Sequence, residues 1–282
     1  MQSRSLPYLL LLPAALFLAA FFVWPFIQVA IEAFTNPAGA FTLANFRTMA
    51  GDWKFLPSLR NTFILALVIV PLQLMLALTM ATLVTRMGAR RDVVLYIWTI
   101  PLGISDLAAG LVWLAIFEKN GFLNSALVSL GLMSQPVTWL GYQNIVTLFV
   151  VVILAELWRS TAIVMVILVA GMGLIPKEYY EAAEVFGAGP WQRFRKVTLP
   201  LLKPSLQTAL ILRTILAFEV FGVVAALAGT NLPILMGQTF EWQFALQDRN
   251  VAAALAMVTL AISVGFTLFY RCALRTRDES RV

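Results

Sequence analysis

Six stretches of this chain are each long and apolar enough to cross a lipid bilayer, at about residues 6–31, 61–85, 93–117, 144–172, 205–228 and 251–270. A helix needs roughly 20 predominantly apolar residues to span the hydrocarbon core. Inside lipid the backbone must satisfy its own hydrogen bonds, which leaves helices or closed barrels. The period-two alternation of barrel strands is absent, so the runs predict an all-α membrane protein with six transmembrane helices. The composition agrees: 61% of the 282 residues are hydrophobic and 12% are charged, against about half and a quarter in soluble domains. The first run is longer than the apolar core of a signal peptide. Trp24, Pro25 and Phe26 continue it without a small-residue cleavage site, so it is read as a retained span.

Lys and Arg set the orientation. Arg4, Arg86, Arg90, Arg91, Lys177, Arg193, Arg195, Lys196, Lys203, Arg271, Arg275, Arg277 and Arg281 fall on one side of the six-span arrangement. Arg47, Lys54, Arg60, Lys119 and Arg249 fall on the other. The richer side is cytoplasmic, which puts both termini there. The opposite face has connections only, at about 35–59, 118–143 and 229–250, and no domain of its own. Phe122, Leu123, Ala126, Leu127 and Leu130 recur there at helical spacing, which predicts a short amphipathic helix on the outer surface.

Several function classes are excluded. The chain has no histidine and a single cysteine, Cys272, so no metal set and no nucleophile–base arrangement is expected. No phosphate-binding loop of the G-x-x-x-x-G-K-[ST] type occurs. If the protein is driven by ATP, another polypeptide must supply the site. The net charge of +6 fits loops facing anionic lipid, and no basic patch interleaved with aromatics suggests nucleic acid.

A charged, turn-rich island at 181–200, EAAEVFGAGPWQRFRKVTLP, interrupts this apolar chain between the fourth and fifth spans. Pro176 opens a short helix, Gly187 can stop it in a left-handed conformation, and Gly189–Pro190 forces a turn. A second short helix follows over 191–197, ended by Leu199–Pro200. The result is a helical hairpin on the cytoplasmic surface. From composition alone it is either a docking surface or an ordinary positive-inside loop.

The spacing of Glu181-Ala182-Ala183, Gly187, Val197 and Leu199-Pro200 resembles the cytoplasmic motif of permease subunits of ATP-binding-cassette importers. The resemblance continues in Arg60-Asn61-Thr62, Gly121-Phe122-Leu123-Asn124 with Gly131-Leu132, Ala217–Phe221 and Ala252–Ala256. It points to the carbohydrate-type subgroup, near the maltose, trehalose and glycerol-phosphate permeases. Two positions depart from that pattern: Asp106, and Gly229-Thr230-Asn231 in place of Gly-Gly-Pro.

The resemblance implies one permease domain over 1–282, with its core at 55–272 and a coupling loop at about 173–204. In that loop Glu181, Ala182, Ala183, Gly187, Leu199 and Pro200 would seat on the ATPase. It implies two ATP-binding-cassette subunits holding ATP and Mg²⁺, with no cofactor in this chain. It also implies a second, homologous permease, an external solute-binding protein, and a bacterial or archaeal inner membrane. The solute would be a sugar, a polyol or a sugar derivative.

Asp106, Glu156, Arg159, Arg213 and Glu219 lie within predicted spans, where an ion needs a partner or an aqueous cavity. They are candidates for a polar solute path, with Phe218, Trp113, Trp158 or Phe221 as stacking surfaces. Ion pairing between spans is the structural alternative. A stand-alone transporter that uses Asp106, Glu156 and Glu219 as proton carriers is the functional alternative.

Overall fold

The computed structural model describes residues 6–273. Arg4, Arg275, Arg277 and Arg281, which entered the orientation argument, lie outside the described residues. The secondary structure of the described residues is helical, apart from one isolated bridge between Thr35 and Phe41.

Among the described residues, four helices are long and apolar enough to cross a membrane: α1, Tyr8–Ala33; α3, Phe55–Val84; Tyr142–Gly173, whose α-helical part is α7, Ile145–Gly173; and α13, Arg249–Ala273. The count rises to seven if each of three sharply bent helix pairs is taken as one span. The first, second, fourth and sixth predicted spans are thus continuous helices, and the third and fifth are broken.

The third breaks where its sequence dictates. Helix α4, Arg91–Thr99, tightens into a 3-10 turn over Ile100–Gly103 and stops. Ser105 then caps α5, Asp106–Phe117, by accepting the Ala108 N–H at 3.3 Å. Asp106 sits in the first turn of α5, where a carboxylate faces the positive end of the helix dipole. The chain turns by 96° between these two segments. The fifth run is helical over Lys203–Phe218, here α10, and again over Gly222–Ala228, here α11, with Glu219 at the break.

Two prolines explain two wide turns. A π-helical turn over Ala19–Val23 directly precedes Trp24-Pro25, and another over Phe194–Thr198 directly precedes Leu199-Pro200. In each, the residue before proline donates its N–H five residues back, to Ala19 and Phe194 respectively. Proline lacks an N–H and crowds the carbonyl four residues earlier, so the extra residue relieves the conflict without breaking the helix. Leu199-Pro200 therefore does not end the second arm of the hairpin, as the sequence suggested. The arm, α9, runs over Pro190–Leu201 and bends by 68° into α10.

The described residues fall into two compact units, 6–56 with 235–261, and 57–234 with 262–273. The first contains α1, α2 (Ala44–Gly51), α12 (Leu235–Phe240) and the start of α13. Its helix ends are tied by amide side chains. Asn45 donates to the carbonyls of Ala33 and Thr35, both at 2.9 Å, and Asn250 donates to those of Glu32 and Thr35. Lys54 pairs with Glu241 at 2.5 Å. In the most apolar window of α1 no residue is buried, as suits a span whose side chains meet lipid or another subunit.

The second unit holds the main core. One cluster joins Leu65 and Ile69 of α3, Ala109 of α5, Val151 and Ala155 of α7, and Val223 and Val224 of α11. Another joins Ala77 and Ala81 of α3 to Met165 and Leu168 of α7, and to Leu202 and Leu206. The short helix predicted near 122–130 is present as α6, Phe122–Ser129. Asn124, which is buried, anchors it. It accepts the Trp139 indole N–H at 2.9 Å and donates to the carbonyls of Lys119 and Val137.

Candidate functional site

The sequence-predicted residues separate into two places: a charge cluster among the spans and a projecting hairpin.

Four helices build the cluster. Arg213 of α10 donates through Nη2 to Glu156 of α7 at 2.8 Å, and through Nε to the Gln73 side-chain oxygen of α3. Gln73 in turn donates to the Glu156 backbone carbonyl at 2.8 Å. Gln73 and Glu156 have no exposed surface and Arg213 has 1%. Ser160, one turn beyond Glu156, donates to the same carboxylate at 3.3 Å. Arg159 links this inner set outward: it meets Glu156 at 3.5 Å and Asp106 of α5 at 2.9 Å. Two guanidinium groups and two carboxylates make the cluster formally neutral, which suits an apolar surround. Arg213 Nη1 and Arg159 Nε remain buried without a partner among the described residues.

Glu156 and Arg159 share a helix face, as their spacing requires. Arg213 turns to Glu156, not to Glu219. Helix α10 ends at Phe218, so Glu219 caps it and leaves the helical face. Glu219 is exposed. Phe218 is buried edge-on to Phe63, with ring centres 5.4 Å apart, and lies 5.3 Å from Phe266. Trp113 stacks on Phe117 and meets Trp158 edge-on. The Asp106 side chain stays 43% exposed and that of Arg159 14%, so this pair is the accessible margin of the cluster. Sequence reasoning missed Gln73. A lone amide in an apolar run was the available signal.

Small residues bring the broken spans together. A Cβ built on Gly222 would lie 2.7 Å from Asp106 Cβ and 2.8 Å from the Leu107 nitrogen. One on Gly110 would lie 2.6 Å from Ala226 Cβ. Helices α5 and α11 thus touch backbone to backbone, as small residues allow in membranes. Gly222→Val is expected to lower stability by about 1–3 kcal/mol through overpacking and to pull Asp106 from Arg159. Thermal unfolding in detergent checks this against Gly265→Ala, whose added methyl meets nothing within 4 Å.

The hairpin consists of α8, Lys177–Val185, and α9. Gly187 has φ of 72°, and Ala188 donates back to the Ala183 carbonyl at 2.9 Å, which closes the end of α8. Arg193 pairs with Glu184 across the two arms, and the Tyr180 and Thr198 hydroxyls meet at 3.2 Å. Behind the hairpin, a Cβ on Gly171 would lie 2.2 Å from Ser205 Oγ, so the root of α10 is pressed onto α7. Glu181, Ala182 and Gly187 are exposed, as is Pro200, whereas Ala183 and Leu199 are half-buried. Val185 and Phe186, at the tip, are 86% and 89% exposed. Large apolar side chains held this far out on an ordered hairpin mark a protein or membrane contact.

Together these features define a multi-pass helical membrane protein with a projecting helical hairpin and no nucleotide-binding loop of its own. The family model described as binding-protein-dependent transport system inner membrane component matches residues 73–275, and the chain belongs to that family. It is 32% identical over 235 residues to the trehalose/maltose transport system permease protein MalF of Thermococcus litoralis, covering 81% of this chain and 78% of that protein. It is likewise 32% identical over 238 residues to the sulfoquinovosyl glycerol transport system permease protein SmoG of Agrobacterium fabrum, covering 80% and 75%. The fold is shared with a chain of a bacterial alginate ABC transporter, solved with an alginate pentasaccharide-bound periplasmic protein. The TM-score is 0.83 at 20% identity, over 96% of this chain and 95% of that one.

Proposed function

We propose that this chain is a permease subunit of an ATP-driven importer for a sugar or sugar derivative. The observation that carries the reading is the ordered hairpin. It presents Glu181 and Ala182 on one arm, Gly187 at the turn, and two exposed apolar side chains at its tip. ATP binding would draw two ATPase subunits together, and the hairpin would pass that movement to α7 and α10, which it joins. Glu181, Ala182, Ala183, Gly187, Leu199 and Pro200 form the coupling element in this proposal. The functional unit is the whole chain, with its core at 55–272 and its coupling loop at 173–204. It has six spans, two of them broken, and both termini in the cytoplasm of a bacterial or archaeal cell.

The partners in this reading are two ATPase subunits holding ATP and Mg²⁺, a distinct homologous permease, and an external binding protein. Trehalose and maltose, sulfoquinovosyl glycerol and alginate in the relatives' names support a hydroxyl-rich solute. Asp106, Arg159 and Glu219 keep accessible surface and in this reading line the solute path. Glu156, Arg213 and Phe218 hold that wall from within.

The test is uptake in proteoliposomes. Uptake should require co-reconstituted ATPase subunits, internal ATP and the external binding protein. Uptake by this chain alone, driven by a proton or sodium gradient, would overturn the proposal in favour of a secondary transporter. The geometry of Glu156 weighs against that alternative, because Arg213, Arg159 and Ser160 already engage its carboxylate oxygens.

A further inference from the structure

A cavity of about 940 Å³ lies at the root of the hairpin, between the end of α3, the start of α4, the end of α7 and both hairpin arms. Four cationic side chains line it, Arg86, Arg91, Lys177 and Arg193, against one carboxylate, Glu178. Arg193 is paired with Glu184. The ion pairs found among the described residues do not involve the other three cations. Arg91 Nε is buried without a hydrogen-bond partner among the described residues. Thr82, Thr85, Tyr180 and Thr198 complete the wall, but the Thr82 and Thr85 hydroxyls donate to carbonyls of α3 and the Tyr180 and Thr198 hydroxyls bond to each other, so the free donors are the cationic groups. Such a concentration of uncompensated donors suits a phosphate group.

The cavity does not end at these charges. A groove of about 390 Å³ shares Thr82, Arg86, Pro190 and Phe194 with it. This groove continues along α3 past Thr79, Leu78 and Met75, under the Trp191 ring. Those α3 positions belong to a membrane-spanning helix. A basic pocket that opens into an apolar groove on a span has the two-part chemistry of a phospholipid: an anionic headgroup and an acyl chain. Basic pockets between spans on the cytoplasmic side are a recurring way to hold anionic lipid. A soluble phosphorylated metabolite would use the cavity and leave the groove without a role.

We infer that this cavity and groove form a binding site for one anionic phospholipid of the cytoplasmic leaflet. Its phosphate would lie among Arg86, Arg91 and Lys177, and an acyl chain would lie against Met75, Leu78 and Trp191. The inference uses the cytoplasmic placement of the hairpin but not its coupling role. A bound lipid would brace the hairpin arms against α3 and α4.

Native mass spectrometry of the full-length chain, purified with its associated subunits and exposed to phosphatidylglycerol or phosphatidylcholine, tests it. Phosphatidylglycerol should be retained well and phosphatidylcholine poorly. The double change R91Q/K177Q should reduce phosphatidylglycerol retention roughly tenfold or more. R195Q/K196Q removes the same charge from the same hairpin outside the cavity and should leave retention unchanged. Thr79→Trp keeps every charge, fills the groove at an exposed position, and should also reduce retention. Equal retention by R91Q/K177Q and R195Q/K196Q, or of the two lipids, would overturn the inference. Displacement of the lipid by soluble glycerol 3-phosphate, with no effect of Thr79→Trp, would assign a soluble anion and also overturn it. Because the readout is lipid retention, failure here would be distinct from failure of the coupling proposal.

Discussion

Arg213→Met should destabilise the folded chain by about 3–5 kcal/mol, because it leaves a buried carboxylate without its main partner. Glu156 has no exposed surface, and its remaining close cation is Arg159 at 3.5 Å, which is shared with Asp106. Gln73 loses its donor at the same time. The effect belongs to the broken network more than to the strength of the ion pair. Taking two ions out of water is itself costly, so an apolar replacement of similar volume restores most of what one truncation loses. The combined change Gln73→Leu, Glu156→Leu and Arg213→Met should therefore be more stable than Arg213→Met alone. Denaturant unfolding in mixed micelles measures both. A cost below about 1 kcal/mol for the single change would mean that Glu156 finds water or another cation. The unpartnered Arg213 Nη1 shows that even the native network is incomplete among the described residues.

Glu181→Lys and Gly187→Val should each lower transport at least roughly tenfold while binding-protein-stimulated ATP hydrolysis continues, the signature of a coupling element that moves without transmitting. The two changes act through different physics. Glu181 is exposed, so reversing its charge leaves the fold intact and alters only what the hairpin presents. Gly187 sits at φ of 72° with nothing within 4 Å of an added Cβ, so space is not the obstacle. The left-handed backbone is, at about 1–2 kcal/mol for an ordinary residue. Transport should follow the order Gly, Asn, Ala, Val at this position, because asparagine tolerates that conformation and branched residues resist it. Uptake and phosphate release measured in the same proteoliposomes separate the outcomes. Full transport by Glu181→Lys would remove the assigned role.

The lipid-crossing helices were legible because hydrocarbon imposes length and apolarity locally. Phe55–Val84 and Arg249–Ala273 read directly from runs of unbroken hydropathy. The breaks in the third and fifth runs were harder to see. Pro101, Gly103 and Ser105 interrupt hydrogen bonding without interrupting apolarity, and Glu219 stands inside a run apolar enough to span. The hairpin arm also extended past Leu199-Pro200, because a π-helical turn absorbed a proline that sequence rules treat as a stop. Arg213 and Glu219, six residues apart, would share one side of an unbroken helix, but α10 ends between them.

Composition by itself determined a multi-helix membrane protein, the Lys and Arg distribution predicted a hairpin on the cytoplasmic side, and the motif's resemblance to importer permeases implied an ATPase carried by another chain. All three are local properties: the solvent around a segment, the charge beside it, and the residues a turn demands. Only the tertiary structure decided which charges face each other. It turned Glu156, Arg213 and Gln73 into a buried tie between three helices and left Asp106 and Arg159 at the accessible edge. It also brought Arg86, Arg91 and Lys177, from three separate segments, around one cavity. Such pairings depend on how helices pack against one another. That is a sum of many contacts between residues distant in sequence, and no short stretch of the chain records it.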